Sequence, residues 1–185
     1  MRVIAGTAKG RTLQSVPGDS TRPITDRVKS ALFSILNSQD MIEERRYLDL
    51  FAGTGAVGIE ALSRGAGAAV FCERDRAALR TLGHNLEAVG VTARAQVVPG
   101  DAFAYLGRPV LAPFDVIYIA PPQYQGLWLK ALQMVDARPE LLAEGGLVIV
   151  QIFPKEWLEP ELAHLAQVDE RKYGSTALHF LQEKG

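Results

Sequence analysis

The sequence predicts an α/β fold with a mostly parallel sheet covered on both faces, and three features carry that reading. Beyond residue 45, short apolar runs alternate with stretches whose apolar residues recur at helical spacing, the pattern of repeated strand and crossover-helix units. A glycine-rich turn, Gly53-Thr-Gly-Ala-Val-Gly58, follows the first of those runs and opens a helical stretch. With 185 residues, 48% of them hydrophobic, the chain can fill one sizeable core but is short for two. One domain over 1–185 is therefore expected, with 1–38 as an N-terminal extension.

Taken in order, 2–5 and 11–16 are β-prone runs around Gly6-Thr-Ala-Lys-Gly10 and read as a hairpin, ended by Pro17-Gly18-Asp19-Ser20. From Thr25 or Asp26, the residues Val28, Ala31, Leu32, Ile35 and Leu36 recur at helical spacing, with Thr25 as N-cap. Strands are expected near 47–51, 68–73, 94–98, 114–119 and 146–152. Helices fill 56–64, 75–88, a short turn from 101, 126–137 and 155–165. Residues 167–173 and 176–182, around Gly174-Ser175, read as a closing antiparallel hairpin.

Composition narrows the function classes. No apolar run reaches the roughly 20 residues that span a bilayer, and the first residues lack a signal peptide's apolar region, so a cytoplasmic protein is expected. The single cysteine, Cys72, excludes an internal disulfide and reads as a small apolar filler; His84, His164 and His179 lie far apart, and no metal site is expected. The net charge of −1 is unevenly spread, at +4 over residues 1–30 and −5 over the rest. A basic N-terminal edge on an acidic body is suited to phosphate contact.

The glycines after the first strand allow a tight turn and a close approach of ligand to backbone, which alone does not separate a nicotinamide dinucleotide from S-adenosylmethionine. Glu73, at the end of the second strand and 20 residues past Gly53, is placed to accept from both hydroxyls of an adenosine ribose, as either ligand requires. Asp49 separates them. It stands four residues before Gly53, where an anion opposes a pyrophosphate but suits the ammonium of a methionine moiety. Asp101, after the third strand, can cap the short helix at 102–106 with one oxygen and accept from an adenine amino group with the other.

After the fourth strand comes Ala120-Pro-Pro-Gln-Tyr-Gln-Gly126. Two prolines at a strand end leave carbonyl oxygens exposed, able to accept from a substrate amino group and aim its lone pair at a methyl carbon, while an adjacent aromatic ring stacks on the base. Methyl transfer from a sulfonium demands mainly orientation from the protein.

Asp49-Leu-Phe-Ala-Gly-Thr-Gly55, Glu73, Asp101 and the Pro-Pro loop, in that order, resemble the N6/N4/N2 amino methyltransferases. Arg22-Pro-Ile-Thr-Asp-Arg-Val-Lys-Ser-Ala-Leu-Phe33 and Leu62-Ser-Arg-Gly-Ala66 make the chain similar, over nearly its whole length, to the bacterial small-subunit ribosomal RNA guanine-N2 methyltransferases of the RsmD type. The resemblance implies a Rossmann-like class I methyltransferase fold with a seven-stranded sheet, and S-adenosylmethionine as cofactor. It implies the N2 amino group of a guanine of small-subunit ribosomal RNA as substrate, within an assembled particle; with so little added to the core fold, a monomer is expected, and without a bilayer-spanning apolar run, no membrane partner. The implied cofactor contacts are Thr25, Asp49, Phe51, Gly53 and Gly55 together with Glu73, Arg74, Asp101 and Ala102, with the 22–33 segment covering the cofactor and Asn85 in a structural or cofactor-side role. The implied catalytic loop is Ala120, Pro121, Pro122, Gln123 and Tyr124, and the basic N-terminal edge offers Arg2, Lys9, Arg11 and Arg22 as RNA contacts.

The loop departs from the family's Asp-Pro-Pro-Phe or Asp-Pro-Pro-Tyr, since Ala120 replaces the acid. The Ala120 and Pro121 carbonyls then remain as acceptors, the Gln123 amide oxygen takes the place of the lost one, and Tyr124 stacks on guanine. Two other readings share these residues: an amino methyltransferase of DNA or tRNA, and a non-catalytic, cofactor-binding ribosome assembly factor.

Overall fold

A computed structural model describes residues 1–18 and 23–185. Seven strands, β1 (Arg46–Asp49), β2 (Ala68–Glu73), β3 (Ala95–Pro99), β4 (Phe114–Ile119), β5 (Leu142–Ile152), β6 (Leu165–Tyr173) and β7 (Thr176–Glu183), form one sheet in the order β3-β2-β1-β4-β5-β7-β6. The first five are parallel, and β7 is antiparallel to both β5 and β6. The helices are α1 (Asp26–Ser38), α2 (Ala56–Ser63), α3 (Arg76–Val89), α4 (Ala102–Leu106) and α5 (Leu127–Asp136).

Parallel strands buried on both faces read as apolar runs, and the alternation along β1 and β2 divides the core in two. Tyr47, Ala69 and Phe71 pack with Leu32 and Phe33 of α1, Ile59 of α2 and Leu82 of α3 on one face. Leu48, Val70 and Cys72 pack with Leu106 of α4 and Leu132 of α5 on the other. α1 begins as the sequence predicts, with the Thr25 hydroxyl accepting from the Val28 N–H at 3.3 Å.

Two predicted elements differ. The N-terminal hairpin is reduced to one antiparallel bridge, Arg2 with Thr12. Three backbone bonds still join its arms, Val3 N–H to the Arg11 carbonyl (2.9 Å), Gly10 N–H to Val3 (2.8 Å) and Leu13 N–H to Met1 (2.9 Å), but the ladder goes no further because buried side chains take the next donors: the Glu60 carboxylate on α2 accepts from Ile4 N–H (2.9 Å) and Ala5 N–H (3.0 Å), and Ser63 Oγ bonds both Ala5 and Ala8. The segment is thus a strap fastened to α2. The helix predicted at 155–165 is only a 3₁₀ turn at Pro154–Glu156. Pro160 cannot donate within a helix, and the Asp136 carboxylate collects the N–H groups of Ala163, His164 and Leu165 at 2.7 to 2.9 Å, leading the chain directly into β6. β5 also starts earlier than expected, at Leu142, with an irregularity before the regular pairing of Leu147 to Val150 with β4.

Candidate functional site

Strand order reverses between β1 and β4, and the crevice beyond the strand ends at such a switch is where open α/β sheets hold ligands. Two adjoining cavities, of about 560 and 610 Å³, occupy that place and share Phe51, Gly53, Ala120, Pro122 and Gln125. The glycine loop makes room for them. Gly55 caps α2 with a φ of 80°, and a Cβ on Gly58 would come within 2.3 Å of the Phe71 ring, so the third glycine seats α2 tightly on β2.

The first cavity is lined by Glu73, Arg74, Asp75, Asp101, Ala102, Phe103 and Leu127, with Val16, Pro17 and Gly18 of the strap across its mouth. Glu73 is fixed by backbone donors at 2.8 Å each, Gly53 N–H on Oε2 and the Arg74 and Asp75 N–H groups on Oε1. Three of about four acceptor directions are filled, which leaves capacity on Oε2. Asp101 caps α4, its Oδ1 accepting from Ala104 N–H at 3.0 Å. Cys72 lines the same wall, its thiol pushed up to about 12 by burial.

The second cavity is lined by Asp49, Thr54, Val57, Tyr118, Gln151 and the loop Ala120 to Gln125, with Pro23 and Ile24 at its edge. Asp49, 3% exposed, accepts from Gly58 N–H at 3.4 Å. Burial raises its pKa to about 7, against the opposing Gly58 hydrogen bond and with help from the Glu73 charge. Tyr118 stands directly opposite Asp49 in the β1–β4 register; its hydroxyl, raised well above its ordinary value by burial and then by Asp49, donates to Gln151 Oε1. A carboxylate that pairs with no cation among the described residues, beside a phenol and an amide, makes a floor suited to a cation.

The loop from Ala120 to Gly126 holds its shape at some cost. Tyr124 has a φ of 60°, a conformation about 1–2 kcal/mol unfavourable for a non-glycine residue. Its ring is 68% exposed and leans on Phe153 at 5.7 Å between centroids. Ala120 lines both cavities, Pro121 and Tyr124 the second, and Gln123 lies exposed at the mouth of the second.

The remaining residues singled out in the sequence fall as follows. Thr25 caps α1 and lines neither cavity, and Gly55 lies beneath the loop against Leu82. Asn85 is structural: its amide accepts from Gln14 N–H (2.8 Å) and donates to the carbonyls of Gln14 (3.1 Å) and Thr54 (3.0 Å), tying the strap over the glycine loop. Arg2, Lys9 and Arg11 are exposed on the strap, Arg2 facing Asp26 at 3.7 Å, while Arg22 lies outside the described residues. Lys29, counted into the basic edge, is fully buried, 3.3 Å from Glu60 and 2.6 Å from the Arg2 carbonyl; it fastens the strap and offers no surface charge. Tyr118 and Gln151 escaped the sequence reading. Their signals were a tyrosine within the aliphatic run of β4 and the first polar side chain after Leu147-Val-Ile-Val150.

A family model described as "Conserved hypothetical protein 95" matches residues 1–182. YlbH of Bacillus subtilis is 36% identical over 187 residues, covering 100% of both chains. Ribosomal RNA small subunit methyltransferase D of Escherichia coli is 32% identical over 184 residues, covering 100% of this chain and 90% of that protein. The solved structure of Escherichia coli yhhF superposes with a TM-score of 0.85 at 32% identity, covering 100% of this chain and 98% of that one. More distantly, an RNA methyltransferase from Salinibacter ruber in complex with S-adenosyl-L-homocysteine shares the fold, with a TM-score of 0.61 at 19% identity over 86% of this chain and 92% of that one. With its Rossmann-like, seven-stranded methyltransferase sheet, the chain belongs to the family of ribosomal RNA small subunit methyltransferase D.

Proposed function

We propose that this protein transfers a methyl group from S-adenosylmethionine to the exocyclic N2 of a guanine in small-subunit ribosomal RNA. The observation that carries the reading is the pair of cavities meeting at Phe51, Gly53 and Ala120, one equipped for an adenosine and the other for an ammonium and a base. The donor sets fit. Glu73 Oε2 is an anchored acceptor for a ribose hydroxyl, and the second oxygen of Asp101 is free to accept from adenine while the first caps α4. Phe51 and Phe103, edge-to-face at 6.1 Å, wall the same space with Leu127. Asp49 supplies the counter-charge for the ammonium, which would relieve the burial that raises its pKa.

Bound there, the cofactor supplies an electrophilic methyl group on a sulfonium. The protein's own residues orient the nucleophile. The Ala120 and Pro121 carbonyls accept the hydrogens of the target amine, so that its lone pair faces away from them. Gln123 takes the acceptor role that the family's aspartate fills, and Tyr124 stacks on the base. A neutral aryl amine needs no strong base and sheds its proton after the bond to carbon forms. Arg2, Lys9, Arg11 and Arg22 contact phosphates of an assembled particle, and the protein works as a cytoplasmic monomer.

Deleting the gene and analysing the nucleosides of small-subunit ribosomal RNA tests the reading. One N2-methylguanosine disappears and returns with the wild-type gene. An unchanged nucleoside profile contradicts it.

A further inference from the structure

We propose that Glu156, in the turn after β5, is a positioning residue for the base-binding loop after β4. Its carboxylate spans two segments: Oε2 accepts from the Tyr124 N–H at 2.8 Å and Oε1 from the Phe153 N–H at 3.3 Å. The first of these bonds falls on the non-glycine residue of the loop with a left-handed backbone, and the ring of that residue leans on Phe153. A backbone conformation that side chains disfavour persists only where its surroundings impose it, and Glu156 supplies that constraint. The inference rests on the reading of Tyr124 as the ring that meets the base.

The turn itself is anchored from its other side. Trp157, next in sequence, stacks on His179 of β7 at 3.7 Å between centroids and on Trp128 of α5 at 4.9 Å. Glu156 therefore connects a fixed point on the sheet to the loop, and it holds the Tyr124 ring beside the cavity that Gln151, the last polar residue of β5, also lines. Fixing the ring before the base arrives removes an ordering cost from the step that brings amine and methyl together.

The test compares Glu156→Ala, Glu156→Gln, Tyr124→Ala and the Glu156→Ala/Tyr124→Ala double variant, using labelled S-adenosylmethionine and small ribosomal subunits from cells lacking the protein. Glu156→Ala lowers kcat about tenfold, the effect of losing one charge-assisted hydrogen bond, with the cofactor KM unchanged. Glu156→Gln, which keeps one acceptor oxygen, recovers part of the loss. Tyr124→Ala in the Glu156→Ala background adds little, since both changes remove one device. Hydrogen exchange gives a readout independent of activity: residues 120–126 exchange faster in Glu156→Ala. Additive losses from the two alanines, an equal loss of cofactor affinity, or unchanged exchange over 120–126 overturns the proposal. Faster exchange in a protein whose wild type transfers no methyl group keeps the clamp and rejects the methyltransferase reading.

Discussion

Replacing Asp49 with Asn removes a carboxylate that the fold holds in a place hostile to its charge. Its pKa stands at about 7 against an ordinary 3.8 because burial outweighs the Gly58 N–H. At about 1.4 kcal/mol per pH unit, ionised Asp49 costs the unliganded protein up to about 4 kcal/mol. Between pH 4 and 7 the folded state keeps a proton that the unfolded state has lost, so wild-type stability falls as pH rises and levels off above 7. Asn carries no such penalty and keeps an acceptor for Gly58 N–H. Urea unfolding, followed by the fluorescence of Trp128 and Trp157, should show the variant and wild type similar near pH 4. Near pH 8 the variant should be more stable, by up to about 4 kcal/mol. S-adenosylhomocysteine, which carries the same ammonium, should stabilise the wild type strongly and the variant little, and its affinity for the wild type should weaken below pH 7. A stability difference that is the same at pH 5 and pH 8, or an undiminished affinity in the variant, refutes the assignment of Asp49 to the ammonium.

Four further outcomes are expected. Asn85→Ala strands the N–H and C=O of Gln14 and the carbonyl of Thr54, costing about 2–4 kcal/mol in urea unfolding, and it should speed cofactor release by loosening the strap. Lys29→Met leaves buried Glu60 without one of its two cations and should cost about 3–5 kcal/mol by the same measurement. Lys9→Ala and Arg11→Ala should each lower the slope of log affinity for ribosomal particles against log salt by about one, measured by filter binding, whereas Arg2→Ala, whose side chain faces Asp26, should lower it less. Gln123→Ala should slow methyl transfer to the natural particle by one to two orders of magnitude, about 1.5–3 kcal/mol; an unchanged rate would remove Gln123 from the acceptor role.

Local pattern was enough where neighbours in sequence are neighbours in space. The parallel strands, the glycine loop, the caps at Thr25 and Asp101 and the closing hairpin all rest on short-range periodicity and turn chemistry, and apart from the earlier start of β5 each formed close to its expected bounds. Side chains that act across the fold undid the rest. Glu60 captures the donors of the N-terminal strap from more than 50 residues away, and Asp136 does the same to the segment read as a helix at 155–165. The charge count placed Lys29 on the surface because nothing local reveals its pairing with Glu60. The floor of the second cavity was hidden for a related reason: Tyr118 and Gln151 lie 33 residues apart, and only the pairing of β4 with β5 joins them.

In the proposed reaction the two cavities bring a methyl donor and a guanine amino group together. Incubating the purified protein with methyl-labelled S-adenosylmethionine and small ribosomal subunits from cells lacking it, followed by nucleoside analysis, tests this. The proposed function predicts label in N2-methylguanosine alone, with Ala120 in place of the family's aspartate; label in an adenine or cytosine amino group, or no label despite a bound cofactor, would contradict it.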